Sequence, residues 1–150
     1  MDALSGQLDD VAGGDAVTVA LWCVLIAGLL PYVATAIGKA GADYDNRDPR
    51  AWLAQQQGYR RRASAAATNG FEVLPLFAAA VLIAQLLHAR QSSANLLAVG
   101  FIIARGLHLA CYLLDRATLR SIAWLLGLLC VIGLFVISAW AGRGAAAFTG

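Results

Sequence analysis

Charged residues are scarce in this sequence and make up only 13% of its 150 residues, whereas hydrophobic residues make up 60%. A soluble domain is typically about half apolar and about a quarter charged. The net charge of +2 offers no basic surface for nucleic acid, and we expect no nucleic-acid partner. The mean hydropathy of +0.68, collected in four long apolar blocks, indicates an integral membrane protein of one domain.

Patterns of cysteine and histidine that would bind a metal ion are also missing. The three cysteines all fall within apolar blocks, and the sequence has no CxxC motif. We interpret them as small buried hydrophobic residues and predict no metal site. The first sixteen residues contain four aspartates but no lysine or arginine, so they lack the basic segment of a signal peptide. We expect residues 1–16 to form a polar N-terminal tail.

The apolar blocks predict four transmembrane helices in a domain over residues 17–140. Their expected bounds are 17–38, 58–88, 94–114 and 121–140, followed by a C-terminal tail at 141–150. A helix of about 20 apolar residues crosses the hydrocarbon core of a bilayer, which is about 30 Å thick. The short second and third connectors make the later helices antiparallel neighbours. The fold class is therefore expected to be all-α, a four-helix transmembrane bundle in a lipid bilayer.

The basic residues predict the orientation of this bundle. The first loop with its flanks and the third connector hold eight of them: Lys39, Arg47, Arg50, Arg60, Arg61, Arg62, Arg116 and Arg120. The opposite side has only Arg90 and Arg143. Since cytoplasmic loops carry an excess of lysine and arginine, we expect both termini to lie outside the cytoplasm.

The second span carries Glu72, the only glutamate in the chain, within an apolar stretch. An acidic residue at the middle of a membrane helix costs about 2.5–3.5 kcal/mol. Arg62, Asn69 and Glu72 are spaced by seven and three residues, so they share one face of a helix. This face is expected to meet other helices, where the carboxylate has a partner.

The third span carries a second polar face, because Arg105, His108 and Tyr112 are spaced by three and four residues. We expect Glu72 to pair with Arg105, with Asn69 able to bridge them as donor and acceptor. Two interpretations remain open at this point. The polar residues either fix helix register and oligomeric state, or they form a binding site. We interpret His108 as a hydrogen-bonded core histidine rather than a catalytic one.

Two segments resemble a known family. RRRASAAATNGFEVLPLF resembles the second-helix signature of the MAPEG proteins, the membrane-associated proteins in eicosanoid and glutathione metabolism. The matching residues are Arg62, Asn69, Glu72 and Pro75. IARGLHLACYLLDRATLRSIAW resembles the third helix of that family, through Ala104-Arg105, Tyr112 and Leu119-Arg120. The resemblance covers roughly residues 17–140 and is stronger to bacterial members of unknown substrate than to the eicosanoid enzymes.

The resemblance implies a homotrimer in a bacterial inner membrane, with glutathione as co-substrate bound between adjacent protomers. It implies a glutathione-dependent transferase or peroxidase acting on a lipophilic small molecule, an electrophile that enters from the bilayer. The residues that would hold glutathione are Arg62, Asn69, Glu72, Arg105 and Tyr112. By the same analogy Arg120 would be catalytic, because its positive charge near the sulfur favours the thiolate.

The sequence also departs from the family pattern. Conjugating members often carry an arginine four residues before the asparagine, where this chain has Ala65, and a tyrosine can follow the glutamate, where it has Val73. One alternative is therefore a non-catalytic membrane protein with the same fold. A second is a small membrane transporter, although the chain shows no inverted repeat and no pair of broken helices.

Overall fold

Four long helices dominate the computed structural model, which describes residues 17–41 and 43–147, with side chains up to residue 142. The helices are α1 (Val19–Lys39), the short α2 (Pro49–Ala54), α3 (Gly58–Leu86), α4 (Gln91–Leu113) and α5 (Ala117–Ala147). All but α2 are long and apolar enough to cross a membrane. The predicted all-α, four-helix transmembrane bundle is confirmed, and the predicted tail at residues 1–16 lies outside the described residues.

The start of α3 at Gly58 agrees with the prediction, and the other ends of the long helices differ from the predicted bounds by one to seven residues. The largest difference is in α5, which begins at Ala117 and continues to Ala147, so residues 141–147 are helical rather than part of a tail. This segment contains three consecutive alanines and no proline, and alanine is the best helix former. At the other end of the bundle, α3 ends at Leu86 because His88 adopts a left-handed backbone with φ of 51°.

The interior of the bundle is built largely from small residues. Most of its buried apolar side chains are alanines, and only a few are large, such as Phe77 on α3 and Phe101 on α4. These two rings stack with centroids 3.9 Å apart and planes inclined by 12°. Small residues let membrane helices approach closely, since van der Waals contact replaces the hydrophobic effect as the main attraction between them.

α1 and α3 pack tightly at Gly70. A Cβ atom added to this glycine would lie only 2.7 Å from Cγ of Pro31, which is fully buried on α1. The proline ring therefore fills the space left by the missing side chain. This contact fixes the rotation and height of α3 relative to α1, and with them the directions of the polar residues that follow Arg62 along α3.

The first loop is tied to the start of α3 by Arg60. Its guanidinium donates to both carboxylate oxygens of Asp43, at 2.6 and 2.7 Å, and to the carbonyl of Ala40 at 3.1 Å. These bonds favour the ionised carboxylate and hold the pKa of Asp43 below its usual range. The same guanidinium lies 5.2 Å from the ring centre of Trp52 on α2. Arg60 therefore connects Ala40 and Asp43 of the loop to the start of α3 and to α2.

Candidate functional site

A chain of hydrogen bonds connects α4 to α3 inside the bundle. Arg105 is only 7% exposed, and its Nη1 donates to Oδ1 of Asn69 at 3.0 Å. The amide nitrogen of Asn69 in turn donates to Oε2 of Glu72 at a longer distance of 3.4 Å. Asn69 thus bridges the two charged groups as both acceptor and donor, as its amide chemistry allows.

The expected direct ion pair between Glu72 and Arg105 is wrong. The described residues contain two ion pairs, Arg60 with Asp43 and Arg62 with Asp115, and neither includes Glu72. Two positions three residues apart on a helix differ by about 60° in direction. The rotation of α3 places Asn69 toward Arg105, whereas Glu72 lies farther round the helix, on its exposed side.

The exposed side of α3 carries three polar side chains near the site, Arg61, Thr68 and Glu72, beside the apolar Ala65 and Phe71. Arg61, Ala65, Thr68 and Glu72 are all exposed in the protomer and recur at intervals of three and four residues along one helix face. A carboxylate in this position would meet hydrocarbon if lipid covered the face, and charged groups in membrane spans almost always face protein or a water-filled cavity. This stripe is therefore poorly suited to contact with lipid tails.

A second polar group lies where α4 meets α5. The guanidinium carbon of Arg120 lies 4.5 Å from the ring centre of Tyr112. The ring of His108 meets Tyr112 edge-on, with centroids 5.1 Å apart, and its Nδ1 is 3.1 Å from the backbone carbonyl oxygen of Arg120. Since a carbonyl only accepts, Nδ1 carries the proton and donates this bond. The interpretation of His108 as a hydrogen-bonded core histidine is confirmed.

Arg62 lies apart from these two groups and holds the connector between α4 and α5. Its Nη2 donates to the carbonyl of Leu113 at 3.1 Å, and its Nη1 contacts Oδ2 of Asp115 at 3.4 Å. Asp115 has a left-handed backbone with φ of 60°, so the chain turns sharply there. The expected partner of Arg62, a carboxylate of glutathione, stays a prediction. In the structure the Arg62 side chain bonds to partners within the protomer.

The enclosed space behind these residues is small. A cavity of about 20 Å³ lies between α1, α3 and α4, and its walls include Pro31, Gly70, Arg105 and His108. A volume of this size holds about one water molecule. This cavity is therefore too small for anything larger than water beside Arg105 and His108.

A comparison of the sequence with models of protein families supports this architecture. The model of the MAPEG family matches residues 19–140, which is most of the chain and includes all four long helices as far as Trp140. The chain belongs to the MAPEG family. No curated protein matches it. The matched range of this MAPEG protein also includes every predicted site residue.

The structure brings the six predicted site residues of this MAPEG protein to one half of the bundle, in three separate sets. They are the chain Arg105–Asn69–Glu72, the stacked pair Tyr112–Arg120, and Arg62 at the connector. His108 was not among the predicted site residues, although it bonds to the backbone of Arg120 in the second set. Its spacing from Arg105 and Tyr112 was visible, but its partner is a backbone carbonyl, which leaves no signal in the sequence.

We predict that Asn69→Leu will destabilise this MAPEG protein by about 2–3 kcal/mol, because it leaves the buried guanidinium of Arg105 without its partner. Thermal unfolding in detergent measures this loss. Adding Arg105→Leu to Asn69→Leu should restore part of the stability, since the unpaired charge is then removed. Thr68→Val is the matched control, because the Thr68 hydroxyl bonds only to a carbonyl of its own helix. Strictly additive losses in the double variant would contradict the bridge.

Proposed function

We propose that this protein is a membrane-embedded, glutathione-dependent transferase or peroxidase that acts on lipophilic electrophiles. The observation that carries the proposal is the arrangement of the site in a MAPEG chain. The hydrogen-bonded chain through Asn69 and the pair of Tyr112 with Arg120 lie at the same end of the bundle. We propose that the carboxylate, amide and guanidinium groups of these two sets contact one polar ligand.

The chemistry of glutathione fits these groups. The tripeptide has two carboxylates, one amino group and one thiol. Glu72 would accept hydrogen bonds from the amino group, and its exposed position leaves it free to do so. Asn69, held by Arg105, would present a fixed amide to the peptide backbone. Arginine side chains bind carboxylates through charge-assisted bonds, which is the role we propose for Arg62. The buried Arg105 would act on glutathione through Asn69.

The proposed chemical step takes place at the sulfur of glutathione. A free thiol has a pKa of about 8.5 and is mostly protonated at neutral pH. Arg120 would stabilise the thiolate, since a guanidinium stays charged and needs no change of protonation to do so. With an aryl halide, the thiolate sulfur forms a bond to the ring carbon, and the halide leaves with the electron pair of the broken bond.

We further propose that the functional unit is a homotrimer with glutathione between adjacent protomers. The polar stripe on the exposed side of α3 supports this, because a second copy would cover Glu72 where lipid tails would not. The cavity beside Arg105 and His108 is too small for the tripeptide, so a ligand of that size would contact the polar residues from the surface of the protomer. We propose a bacterial inner membrane, with both termini outside the cytoplasm, from the family resemblance and the distribution of basic residues.

A second candidate function is a MAPEG-fold protein without catalysis. The specific observation in its favour is that Arg62 already bonds to the Leu113 carbonyl and to Asp115. The position of the additional arginine of conjugating members is also occupied by Ala65. Such a protein would keep the polar residues only to hold the helices in register.

Isothermal titration with glutathione separates these candidates. We expect the purified protein in detergent to bind glutathione, and Glu72→Gln to weaken binding at least tenfold, because an amide oxygen replaces a carboxylate opposite the amino group. A charge-assisted hydrogen bond contributes about 1.5–3 kcal/mol, and 1.4 kcal/mol is tenfold in affinity.

The matched control for this titration is Asp45→Asn, which removes one negative charge from the first loop, away from the site. It should bind glutathione like the wild type. If the wild type gives no binding heat, the transferase proposal fails and the non-catalytic candidate is favoured. If Glu72→Gln binds as tightly as the wild type, Glu72 is not the partner of the amino group.

A further inference from the structure

His108 is enclosed by the bundle but has no role in the chemistry proposed above. Its side chain is only 4% exposed, and its ring lies edge-on to Tyr112. Its Nδ1 donates to the carbonyl of Arg120, whereas its Nε2 is buried and has no partner among the described residues. A side chain with no access to solvent and with one directed hydrogen bond is suited to holding another residue in place.

The residue held in this way is Arg120. It lies in the first turn of α5, just after the connector that ends at Arg116. Its backbone is bound by His108 and its guanidinium lies over Tyr112, so both contacts come from α4. His108 and Tyr112 are four residues apart and lie on one face of α4. The hydrogen bond therefore fixes the position of the Arg120 backbone along the axis of α4. The contact with the Tyr112 ring fixes the position of its guanidinium.

We propose that His108 is a positioning residue for Arg120. The bond from Nδ1 to the Arg120 carbonyl sets the place of the guanidinium over Tyr112, and with it the point at which a negative charge on sulfur is stabilised. This inference rests on the proposed glutathione chemistry. A displacement of about 1 Å at a reacting centre can lower a rate by about 100-fold, so a residue without contact to substrate can control turnover.

Three substitutions at this position test the bond itself. His108→Asn keeps an N–H donor at the position of Nδ1, because the amide nitrogen of asparagine is two bonds from Cβ. His108→Gln moves the donor one bond farther, toward the position of Nε2, and His108→Leu removes it. We expect kcat with an aryl halide to fall 10- to 100-fold in the Leu and Gln variants and to recover within about threefold of wild type in the Asn variant. KM for glutathione should change by less than about threefold in all three.

The NMR signals of the arginine side chains give a readout that needs no turnover. In the full-length protein in detergent, the Arg120 side chain over the Tyr112 ring should show ring-current shifts, which an Arg120→Lys spectrum assigns. These shifts should persist in His108→Asn and disappear in His108→Leu and His108→Gln. If the wild type neither binds nor turns over glutathione, the proposed function fails, and this spectrum alone decides the positioning role.

Two results would overturn the inference. One is that His108→Gln keeps both the ring-current shifts and the turnover of the wild type, which would show that the donor at Nδ1 is not needed. The other is that His108→Asn and His108→Gln lose turnover equally while the shifts persist, which would give His108 a role other than positioning Arg120. If His108→Leu does not fold, the Asn and Gln variants still decide, because both are polar amides that differ by one methylene.

Discussion

Arg120→Ala should lower kcat for glutathione with a model aryl halide by about 100-fold and leave glutathione affinity almost unchanged. Removing one group that stabilises a developing or bound negative charge commonly lowers kcat by about 100- to 1000-fold. The guanidinium over Tyr112 is fixed by two contacts from α4, so a charge of this kind would be preorganised. An interaction that matters mainly in the reacting state changes kcat rather than binding.

The thiolate of glutathione gives a direct check of this prediction. Its absorbance near the ultraviolet edge should appear when glutathione is mixed with wild-type protein and should be absent with Arg120→Ala. Arg116→Ala is the matched control, because Arg116 is an exposed arginine four residues earlier, at the end of the connector before α5. It should leave the thiolate signal and turnover unchanged. If Arg120→Ala behaves in the same way as this control, Arg120 serves only as a basic residue at the membrane surface.

Gly70→Ala should be the most destabilising small substitution in the bundle, by about 3 kcal/mol. The added Cβ would lie 2.7 Å from the ring of the buried Pro31, and a proline ring cannot rotate away. Overpacking a membrane or soluble core typically costs about 1–3 kcal/mol. The shift of α3 would also move Asn69 relative to Arg105, so the buried hydrogen bond between them would weaken. Thermal unfolding in detergent measures the combined effect.

Gly106→Ala is the control for this substitution, because a Cβ there meets nothing within 4 Å in the described protomer. Alanine is favoured over glycine within a helix by about 1 kcal/mol, so this variant should be as stable as the wild type or more so. Pro31→Ala combined with Gly70→Ala should recover much of the lost stability, since the ring is gone. Equal stability of the Gly70 and Gly106 variants would show that α1 and α3 do not meet closely at this glycine.

The four membrane helices could be predicted from hydropathy, because each is set by its own residues and by the thickness of a bilayer. The polar faces of α3 and α4 could be predicted for a similar reason, since they follow from helical periodicity. The pairing across the helices could not. Whether Asn69 or Glu72 faces Arg105 depends on the rotation of α3, and the packing of Gly70 against Pro31 sets that rotation.

The contacts that the connectors make could not be predicted from sequence patterns either. Arg62 matches the family signature, and its partners, the Leu113 carbonyl and Asp115, are more than fifty residues away along the chain. The end of α5 at Ala147 was missed for a different reason. Hydropathy marks where a helix leaves the hydrocarbon, whereas alanine-rich sequence continues the helix beyond that point.

The exposed carboxylate of Glu72 has a consequence for how much of the protein accumulates in the cell. In the proposed homotrimer a second copy covers this side of α3, so a newly inserted single chain would leave Glu72 uncovered until it meets other copies. Stability that depends on association rises with the local concentration of protomers. Chains made at low abundance, or diluted in a large membrane area, would therefore be degraded faster than chains made in bulk. The amount of protein that accumulates would rise more steeply than its rate of synthesis.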